Sequence, residues 1–191
     1  RARQFASEAR TDHLTGLANR REFERVMERE AALAERHNRR LSLMMIDLDN
    51  LKRINDRLGH SAGDGALKIV AQQLQRVVRA SDVCARVGGD EFAVAMPETD
   101  LDRARDVALR LRGAVEHAAL SLRAPEHVEV SVGIAAWRPG QDWQAIYKAA
   151  DTDLYEDKRR RKTVRRWRQE DQPAEIRILG RGAGRRRVSG A

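Results

Sequence analysis

An almost uninterrupted apolar run, LSLMMIDL at residues 41–48, most limits what this chain can fold into. A strand with one face in water alternates apolar and polar residues, whereas a strand covered on both faces reads as a continuous apolar segment. The run therefore predicts a central strand whose sheet has helices packed on both faces. A chain of 191 residues is long enough to bury such a sheet in one domain.

Helical and strand-like patterns alternate along the rest of the chain. Apolar residues recur near helical spacing in five segments, 22–38, 50–59, 66–78, 101–118 and 143–160. Strand character is found in four further segments, 83–87, 91–96, 128–137 and a short last one at 164–167. Residues 10–20 are predicted to form a loop that turns at Gly16. The pattern indicates a mixed α/β domain built on one sheet with helices packed on it.

Positive charge is concentrated at the C-terminal end. The chain carries a formal net charge of +8, but thirteen Lys or Arg lie from Lys158 onward against three acidic residues, so residues 1–157 carry −2. A near-neutral body offers no basic channel for nucleic acid, and the last residues are predicted to be a basic, disordered tail. The single cysteine, Cys84, excludes an internal disulfide and is expected to be a small buried residue.

A second unusual stretch, ARVGGDEFAVAMP at residues 85–97, joins two strands through Gly88, Gly89, Asp90 and Glu91. If these strands lie beside the apolar run, Asp90 meets Asp47, which lies at the end of that run. Two neighbouring carboxylates repel each other and need a positive partner. Mg²⁺ is the natural one, because it binds carboxylate and phosphate oxygens, and glycines without a Cβ atom let a bulky ligand approach.

The residues that follow Asp47 add features of a phosphate site. DLDNLK (47–52) leads into a helix N-terminus, whose free N–H groups suit a phosphate, and Lys52 adds a cation. Together these features predict a site for Mg²⁺ and a nucleoside triphosphate, with phosphoryl or nucleotidyl transfer as the chemistry. Each feature alone also has a structural interpretation, since Asp47 could be a helix N-cap partner and the two glycines a hairpin turn.

The letters GGDEF at residues 88–92 are the signature of the bacterial GGDEF diguanylate cyclases, and four more blocks resemble that family in its order and spacing. These blocks are DHLTGLANRREF (12–23), IDLDNLKRINDRLGHSAGD (46–64), VSVGIAAW (130–137) and ADTDLYEDKRR (150–160). The resemblance covers roughly residues 10–165. It implies an α/β (α+β) fold with a central, mostly antiparallel sheet flanked by helices, similar to the palm of adenylate cyclases and DNA polymerases.

The same resemblance implies a domain organisation. Residues 1–10 would be the end of an incoming signalling helix, residues 11–167 the GGDEF catalytic domain, and residues 168–191 the basic tail. It also implies a cytoplasmic domain that an upstream sensor or membrane segment could tether to the inner membrane. Within the sequence itself no apolar run approaches the roughly 20 residues of a membrane span.

Proteins with this signature join two GTP molecules into cyclic di-GMP and release two pyrophosphates, with one GTP held by each subunit of a homodimer. By resemblance, Asp47, Asp90 and the backbone carbonyl of Leu48 hold Mg²⁺ or Mn²⁺. Glu91 is implied either to orient the metal or to deprotonate the attacking 3′-hydroxyl, and both roles stay open. The two glycines before Asp90 complete this catalytic turn.

Substrate contacts are also implied by the resemblance. Asn55 and Asp64 match the pair that reads guanine. A carboxylate can accept hydrogen bonds from the guanine N1–H and N2–H₂ groups, which adenine lacks, so the pair would select GTP. Helix-end capping is the alternative role for both residues. Lys52 and Lys158 match positions that contact the triphosphate.

One stretch departs from the family. Where the family continues from the lysine at 158 into Gly-Arg-Asn, this chain has Arg161, Lys162 and Thr163. Lys162 keeps the positive charge at the phosphate-contacting position but loses the two-pronged geometry of arginine. Arg160 or Arg161 could compensate, so we expect at most a weaker hold on the triphosphate.

A regulatory site is implied by RASD (79–82), which lies five residues before the signature, where the family has its product-inhibition motif Arg-x-x-Asp. Arg79 and Asp82, with Arg110 from the following helix, would bind cyclic di-GMP as an inhibitor, because arginine grips phosphates and guanine edges. Arg-x-x-Asp at a helix end is also a common capping arrangement. Asp12 and Arg86 match a pair that braces the signature hairpin in relatives.

Three functions are therefore compared. The leading one is an active diguanylate cyclase with product inhibition. The second is a catalytically silent relative that senses cyclic di-GMP, although relatives of that kind usually lose signature residues and none is lost here. The third, a palm-type polymerase or nucleic-acid binder, is supported only by the basic tail. No nucleic-acid partner is expected.

Overall fold

The computed structural model describes residues 10–121 and 128–170, and it describes side chains as far as residue 163. The expected incoming helix at 1–10, apart from Arg10, and the expected tail beyond residue 170 lie outside the described residues. Ten elements follow one another: β1 (Ala18–Asn19), α1 (Arg20–His37), β2 (Leu41–Asp49), α2 (Leu51–Leu58), α3 (His60–Val77), β3 (Val83–Arg86), β4 (Glu91–Pro97), α4 (Leu101–Ser121), β5 (Glu129–Ala136) and α5 (Trp143–Glu170).

The five strands form one sheet in the order β1-β3-β4-β2-β5. The short strand β1 pairs with β3 in parallel, and every other neighbouring pair is antiparallel. The predicted α+β architecture, a mostly antiparallel sheet flanked by helices, is confirmed. The apolar run is confirmed as a central strand: β2 lies between β4 and β5, and its first eight residues are all buried.

Alternate side chains of β2 enter two separate cores. Met44, Ile46 and Leu48 pack with α2, α3 and α4 on one face of the sheet. Leu43 and Met45 pack with α1 and α5 on the other. Because successive side chains of a strand point to opposite faces, a strand covered on both sides must be apolar at every position. This double cover is the physical reason for the uninterrupted apolar run.

Several element ends differ from the sequence predictions, and the segment 10–20, predicted as a loop, contains the two-residue strand β1. The two largest differences concern α3 and α5. Helix α3 begins at His60, six residues before the predicted start at Ala66, and takes in Gly63. That glycine is buried against the side chains of Asn55 and Leu51, so its lack of a Cβ atom allows α2 and α3 to approach closely. The predicted last strand at 164–167 is wrong, because α5 runs unbroken through it. No Gly or Pro interrupts the chain between Gly140 and Pro173, and Arg and Lys favour helix.

In the described part of the chain, no helix combines the length and the apolar character needed to cross a membrane.

Helix α5 lies directly against β5 at Gly133. A Cβ atom at this position would collide with backbone atoms of Ala150 and Leu154 in the helix. Backbone atoms cannot rotate away as a side chain can, so a larger residue at 133 would have to push α5 off the sheet. The close approach matters for the site described below, because α5 carries Lys158.

We predict that Gly133→Ala lowers the free energy of unfolding by about 2 kcal/mol or more, as overpacking of a core contact does. The matched control is Gly113→Ala in α4, where an added Cβ atom meets nothing within 4 Å. There the better helix propensity of alanine should raise stability by roughly 0.5–1 kcal/mol. Urea unfolding followed by circular dichroism measures both, and equal effects of the two substitutions would contradict the packing argument.

Candidate active site

The two acidic segments meet at one end of the sheet, as predicted. In the antiparallel pairing of β2 and β4, Asp47 lies opposite Glu91. The backbone N–H of Leu48 donates a hydrogen bond of 2.9 Å to the carbonyl oxygen of Asp90. Strand β2 continues two residues past Asp47, to Asp49, so Asp47 lies just inside the strand end instead of at its last position.

Asp47 is a buried carboxylate with one direct cationic partner. Its side chain is 10% exposed, and its Oδ2 atom lies 2.7 Å from Nζ of Lys158 on α5. Burial raises the pKa of Asp47 to about 6, and repulsion from Asp90 and Asp49 adds to the rise, although Lys158 acts in the opposite direction. The negative charge at this point is therefore only partly compensated by the protein.

The donor set here suits a hard divalent cation. Asp47 and Asp90 offer carboxylate oxygens and Leu48 offers a backbone carbonyl, which are the ligands that Mg²⁺ and Mn²⁺ prefer. Within residues 10–121 and 128–170, no group of three or more His, Cys, Asp or Glu side chains is placed to hold a metal. Two carboxylates alone leave coordination positions for phosphate oxygens, which is how Mg²⁺ binds in nucleotide sites. The residues present fit such an ion.

The turn between β3 and β4 uses its two glycines differently. The N–H groups of Val87 and Gly88 both donate to the carbonyl of Glu91, at 2.9 and 3.2 Å. A Cβ atom on Gly88 would lie 2.6 Å from Oε2 of Glu91, whose side chain folds over it, whereas one on Gly89 would meet nothing within 4 Å. Gly88 thus makes room for Glu91, and Gly89 leaves open space beside Asp90.

Arg86 braces this turn, and the expected pairing with Asp12 is confirmed. Its guanidinium lies 3.3 Å from both carboxylate oxygens of Asp12 and donates to the carbonyl of Gly89 at 2.7 Å. Burial raises the pKa of Asp12, but hydrogen bonds from Thr15 and the contact with Arg86 outweigh it and hold that pKa below its ordinary value. The loop before α1 is therefore tied directly to the signature turn.

The residues expected to read guanine lie on α2 and α3, which follow the carboxylate end of β2. Asn55 Oδ1 is buried against Gly63 and has no hydrogen-bond partner among the described residues. A buried acceptor without a donor is unfavourable unless a ligand supplies one. Asp64 and Lys52 are both exposed, Lys52 in the first turn of α2. The N-terminus of α2 has no side-chain cap.

The basic residues of α5 are placed differently from one another. Lys158 contacts Asp47, whereas Lys162, one turn later, is exposed. Of the two suggested substitutes, Arg161 lies 3.5 Å from Asp49 and 3.1 Å from Glu129, so its guanidinium is held by carboxylates of β2 and β5. Arg160 is exposed and lies 3.9 Å from Asp153. The structure brings Lys158, and not Lys162, into contact with the carboxylate pair.

The residues of the Arg-x-x-Asp motif line a separate cleft. Arg79, Asp82 and Arg110 border an open cleft of about 690 Å³ whose wall includes Met96 and Val107. Asp82 accepts a hydrogen bond of 3.0 Å from the backbone N–H of Arg79, within the loop after α3. This contact does not cap the helix, because the end of a helix leaves carbonyl oxygens that need donors. The other oxygen of Asp82 is buried without a partner among the described residues. The cleft thus combines two exposed arginines with an unsatisfied acceptor.

Sequence reasoning missed a set of contacts made by α5, the helix that carries Lys158. Asp153 and Asp157 of α5 accept hydrogen bonds from the backbone N–H groups of Ile134 and Val132 in β5. Arg112 of α4 also donates to Asp157, at 2.6 Å. The only sequence signal is the Asp-x-x-x-Asp spacing, which places both carboxylates on one face of a helix and is equally common on solvated surfaces.

Comparison with known proteins gives a consistent result. Residues 9–163 match the family described as diguanylate cyclase, GGDEF domain. The chain is 40% identical over 152 residues to the diguanylate cyclase DgcP of Pseudomonas aeruginosa, and the aligned region covers 79% of this chain and 23% of DgcP. It is 38% identical over 160 residues to the diguanylate cyclase DosC of Escherichia coli, and this aligned region covers 82% of this chain and 35% of DosC.

Solved structures agree with this match. The GGDEF domain of DgcB from Caulobacter crescentus, in complex with c-di-GMP, superimposes with a TM-score of 0.75 at 33% sequence identity, covering 80% of this chain and 89% of that one. The chain spans about a quarter of the length of DgcP and about a third of DosC.

The pKa of Asp47 predicts a pH effect on the stability of the metal-free protein. The folded state binds the Asp47 proton more tightly than the unfolded chain does. The protonated carboxyl therefore contributes its full share to the free energy of unfolding below about pH 4, and this share is lost as the pH rises through about 6. Asp47→Asn stays neutral and escapes this loss. In EDTA, its thermal midpoint relative to wild type should rise by at least about 3 °C between pH 4.5 and 7.

Differential scanning calorimetry across that pH range is the measurement, and Asp56→Asn, at an exposed position of α2, is the matched control. The control should keep a constant offset from wild type. A constant offset for Asp47→Asn as well would show that the buried carboxyl does not titrate as stated.

Proposed function

The chain belongs to the GGDEF family of diguanylate cyclases, and on this premise we propose that it joins two GTP molecules into cyclic di-GMP with release of two pyrophosphates. The observation that carries the proposal is the meeting of Asp47 and Asp90 at one end of the sheet, with Lys158 beside them. A partly compensated pair of carboxylates next to a cation is the arrangement that metal-assisted nucleotidyl transfer uses.

The metal would be Mg²⁺ or Mn²⁺, held by Asp47, Asp90 and the carbonyl of Leu48. When bound, it supplies positive charge that stabilises the phosphoryl oxygens. Lys158, with Lys52 and Lys162, would bind the triphosphate. Because Lys162 is exposed and lacks a two-pronged donor group, we propose that it contributes less than Lys158.

Each bond-forming step follows from the product. A 3′-hydroxyl oxygen of one GTP bonds to the α-phosphorus of the other, the bond from that phosphorus to the bridging oxygen breaks, and pyrophosphate leaves with the electron pair. Glu91 would either orient the metal or accept the hydroxyl proton. The Glu91 side chain folds over Gly88 in the same turn as Asp90, and this position leaves both roles open.

The reaction needs two GTP molecules facing each other, and this chain offers one site. We therefore propose a homodimer as the working form, with each subunit presenting one GTP. We further propose a sensor or membrane segment in the full-length protein, because the chain spans only part of the relatives that it matches. The domain itself would act in the cytoplasm, where GTP is found.

Base selection would come from Asn55 and Asp64. The unsatisfied Oδ1 atom of Asn55 is suited to accept a hydrogen bond from a guanine N–H group. Asp64, exposed on α3, would accept from the remaining guanine donors. Adenine offers no equivalent donors, so ATP would leave both acceptors unpaired.

We also propose that cyclic di-GMP inhibits the enzyme by binding Arg79, Asp82 and Arg110. Support comes from their common position around one cleft and from the partnerless oxygen of Asp82, which could accept a guanine N–H group. Inhibition in the micromolar range would correspond to a binding free energy of about −8 kcal/mol.

Turnover with GTP and with ATP tests the catalytic proposal. With GTP and Mg²⁺ the protein should release pyrophosphate and form a product with the mass of cyclic di-GMP, and kcat/KM for ATP should be lower by at least about 100-fold. Asp90→Asn should lower kcat by at least about 100-fold, because it removes a charged metal ligand. Asp56→Asn is the control for loss of a surface charge. Binding of cyclic di-GMP without pyrophosphate release would favour the silent sensor instead.

Arg79→Ala tests the inhibitory site separately. The inhibition constant for cyclic di-GMP should rise by at least about tenfold while KM for GTP stays the same, because a charge-assisted contact to phosphate or guanine is lost away from the carboxylate pair. Arg76→Ala, at an exposed position of α3 that does not line the cleft, should leave both constants unchanged. Product inhibition that survives Arg79→Ala would rule out this assignment.

A further inference from the structure

Helix α5 is attached to the edge of β5 by a stripe of three charged side chains, one per turn. Asp153 accepts a 2.8 Å hydrogen bond from the N–H of Ile134, and Asp157 accepts one of 3.0 Å from the N–H of Val132. Arg161 donates to Glu129 at 3.1 Å. Residues four apart lie on one face of a helix, and alternate residues of a strand face one side of it, so Asp153 and Asp157 are in step with Ile134 and Val132. Arg161 continues the helix repeat but contacts the Glu129 side chain, outside the alternation of the strand.

This stripe replaces a missing neighbour strand. Among the described residues β5 pairs only with β2, so the N–H groups on its other side lack strand partners. An unpaired backbone N–H under a packed helix is unfavourable, and a carboxylate acceptor makes a stronger hydrogen bond than a neutral carbonyl. Gly133, between the two bonded residues, lets the helix come close enough for these short side chains to reach.

Asp157 differs from Asp153 in three respects. Its side chain is 11% exposed, whereas the Asp153 side chain is 43% exposed. It receives a second hydrogen bond, of 2.6 Å, from Arg112 and so links α5 to α4 as well as to β5. It also directly precedes Lys158, whose ammonium group is 2.7 Å from Asp47.

We propose that Asp157 is a positioning residue for the reaction. By fixing the position of α5 along its axis relative to β5 and α4, it places the Lys158 ammonium group at the carboxylate pair. A helix packed against a backbone cannot shift at one residue alone, so loss of the Asp157 contacts moves Lys158 relative to Asp47. Small misplacements of a binding group can lower rates by up to about 100-fold. The inference rests on the proposed role of Lys158 in holding the triphosphate.

The test compares Asp157→Ala with Asp153→Ala, which removes a similar contact to β5 without touching α4. Steady-state kinetics with GTP and Mg²⁺ give KM and kcat, and calorimetry with the non-hydrolysable guanosine α,β-methylene triphosphate gives Kd. We expect Asp157→Ala to raise KM and Kd by about tenfold, and Asp153→Ala to change them less than about twofold. Equal effects of the two substitutions would overturn the proposal, because a general loosening of α5 would then explain both.

A double-mutant cycle separates positioning from a direct effect. If Asp157 acts through Lys158, Asp157→Ala added to Lys158→Ala should raise Kd by less than about twofold beyond Lys158→Ala alone. Independent, multiplying effects would overturn the proposal. Asp157→Asn has nearly the same shape, keeps an acceptor for Val132 and should give a smaller rise in Kd, so it serves as the test if the alanine variant does not fold.

Failure of this inference can be told apart from failure of the proposed function. If wild type forms cyclic di-GMP and Lys158→Ala weakens binding of the analogue, but Asp157→Ala does no more than Asp153→Ala, only the positioning role is wrong. If Lys158→Ala has no effect on Kd, the role of Lys158 is wrong, and the positioning role falls with it. If wild type forms no cyclic di-GMP, the catalytic proposal itself fails.

Discussion

Burial of the Asp47 carboxylate beside Asp90 is the constraint on which most of this structure depends. Two acidic groups at the end of a covered strand are unfavourable unless cations surround them. Lys158 supplies one cation, but burial, together with the neighbouring Asp90 and Asp49, still raises the pKa of Asp47. The remaining negative potential suits a divalent ion and its nucleotide, so the buried carboxylate that lowers folding stability is also the group that the proposed chemistry requires.

The location of Lys158 depends in turn on contacts made elsewhere on α5. Close packing at Gly133 holds the helix on one face of the sheet, and the carboxylates of Asp153 and Asp157 reach the outer edge of β5. An open edge is a site for unwanted strand pairing, and covering it with a helix removes that hazard. The contacts that protect the edge strand also complete the catalytic end of the sheet, so stability and site geometry share the same hydrogen bonds.

Sequence reasoning succeeded where the information is local or periodic. The apolar run at 41–48 predicted a doubly covered strand, and the acidic turn at Asp90 was correctly placed beside it.

Sequence reasoning failed where a residue from a distant part of the chain decides the local structure. Helix α3 was predicted to start at Ala66, but it begins at His60 and includes Gly63, which packs closely against the Asn55 side chain of α2. The strand expected at 164–167 is helix, because no Gly or Pro interrupts α5 there.

The sequence by itself determined the family, the layered fold and the identity of the residues at the carboxylate pair, because strand burial and the signature turn are written in consecutive residues. Only the tertiary structure decided which cation contacts Asp47, which glycine makes room for the Glu91 side chain and which carboxylates hold α5 in place. The contacts of Asp47 and of the α5 carboxylates depend on how far α5 lies along β5 and how close it comes. That distance is set by backbone contact at one glycine and two backbone N–H groups, which side-chain spacing along the chain does not encode.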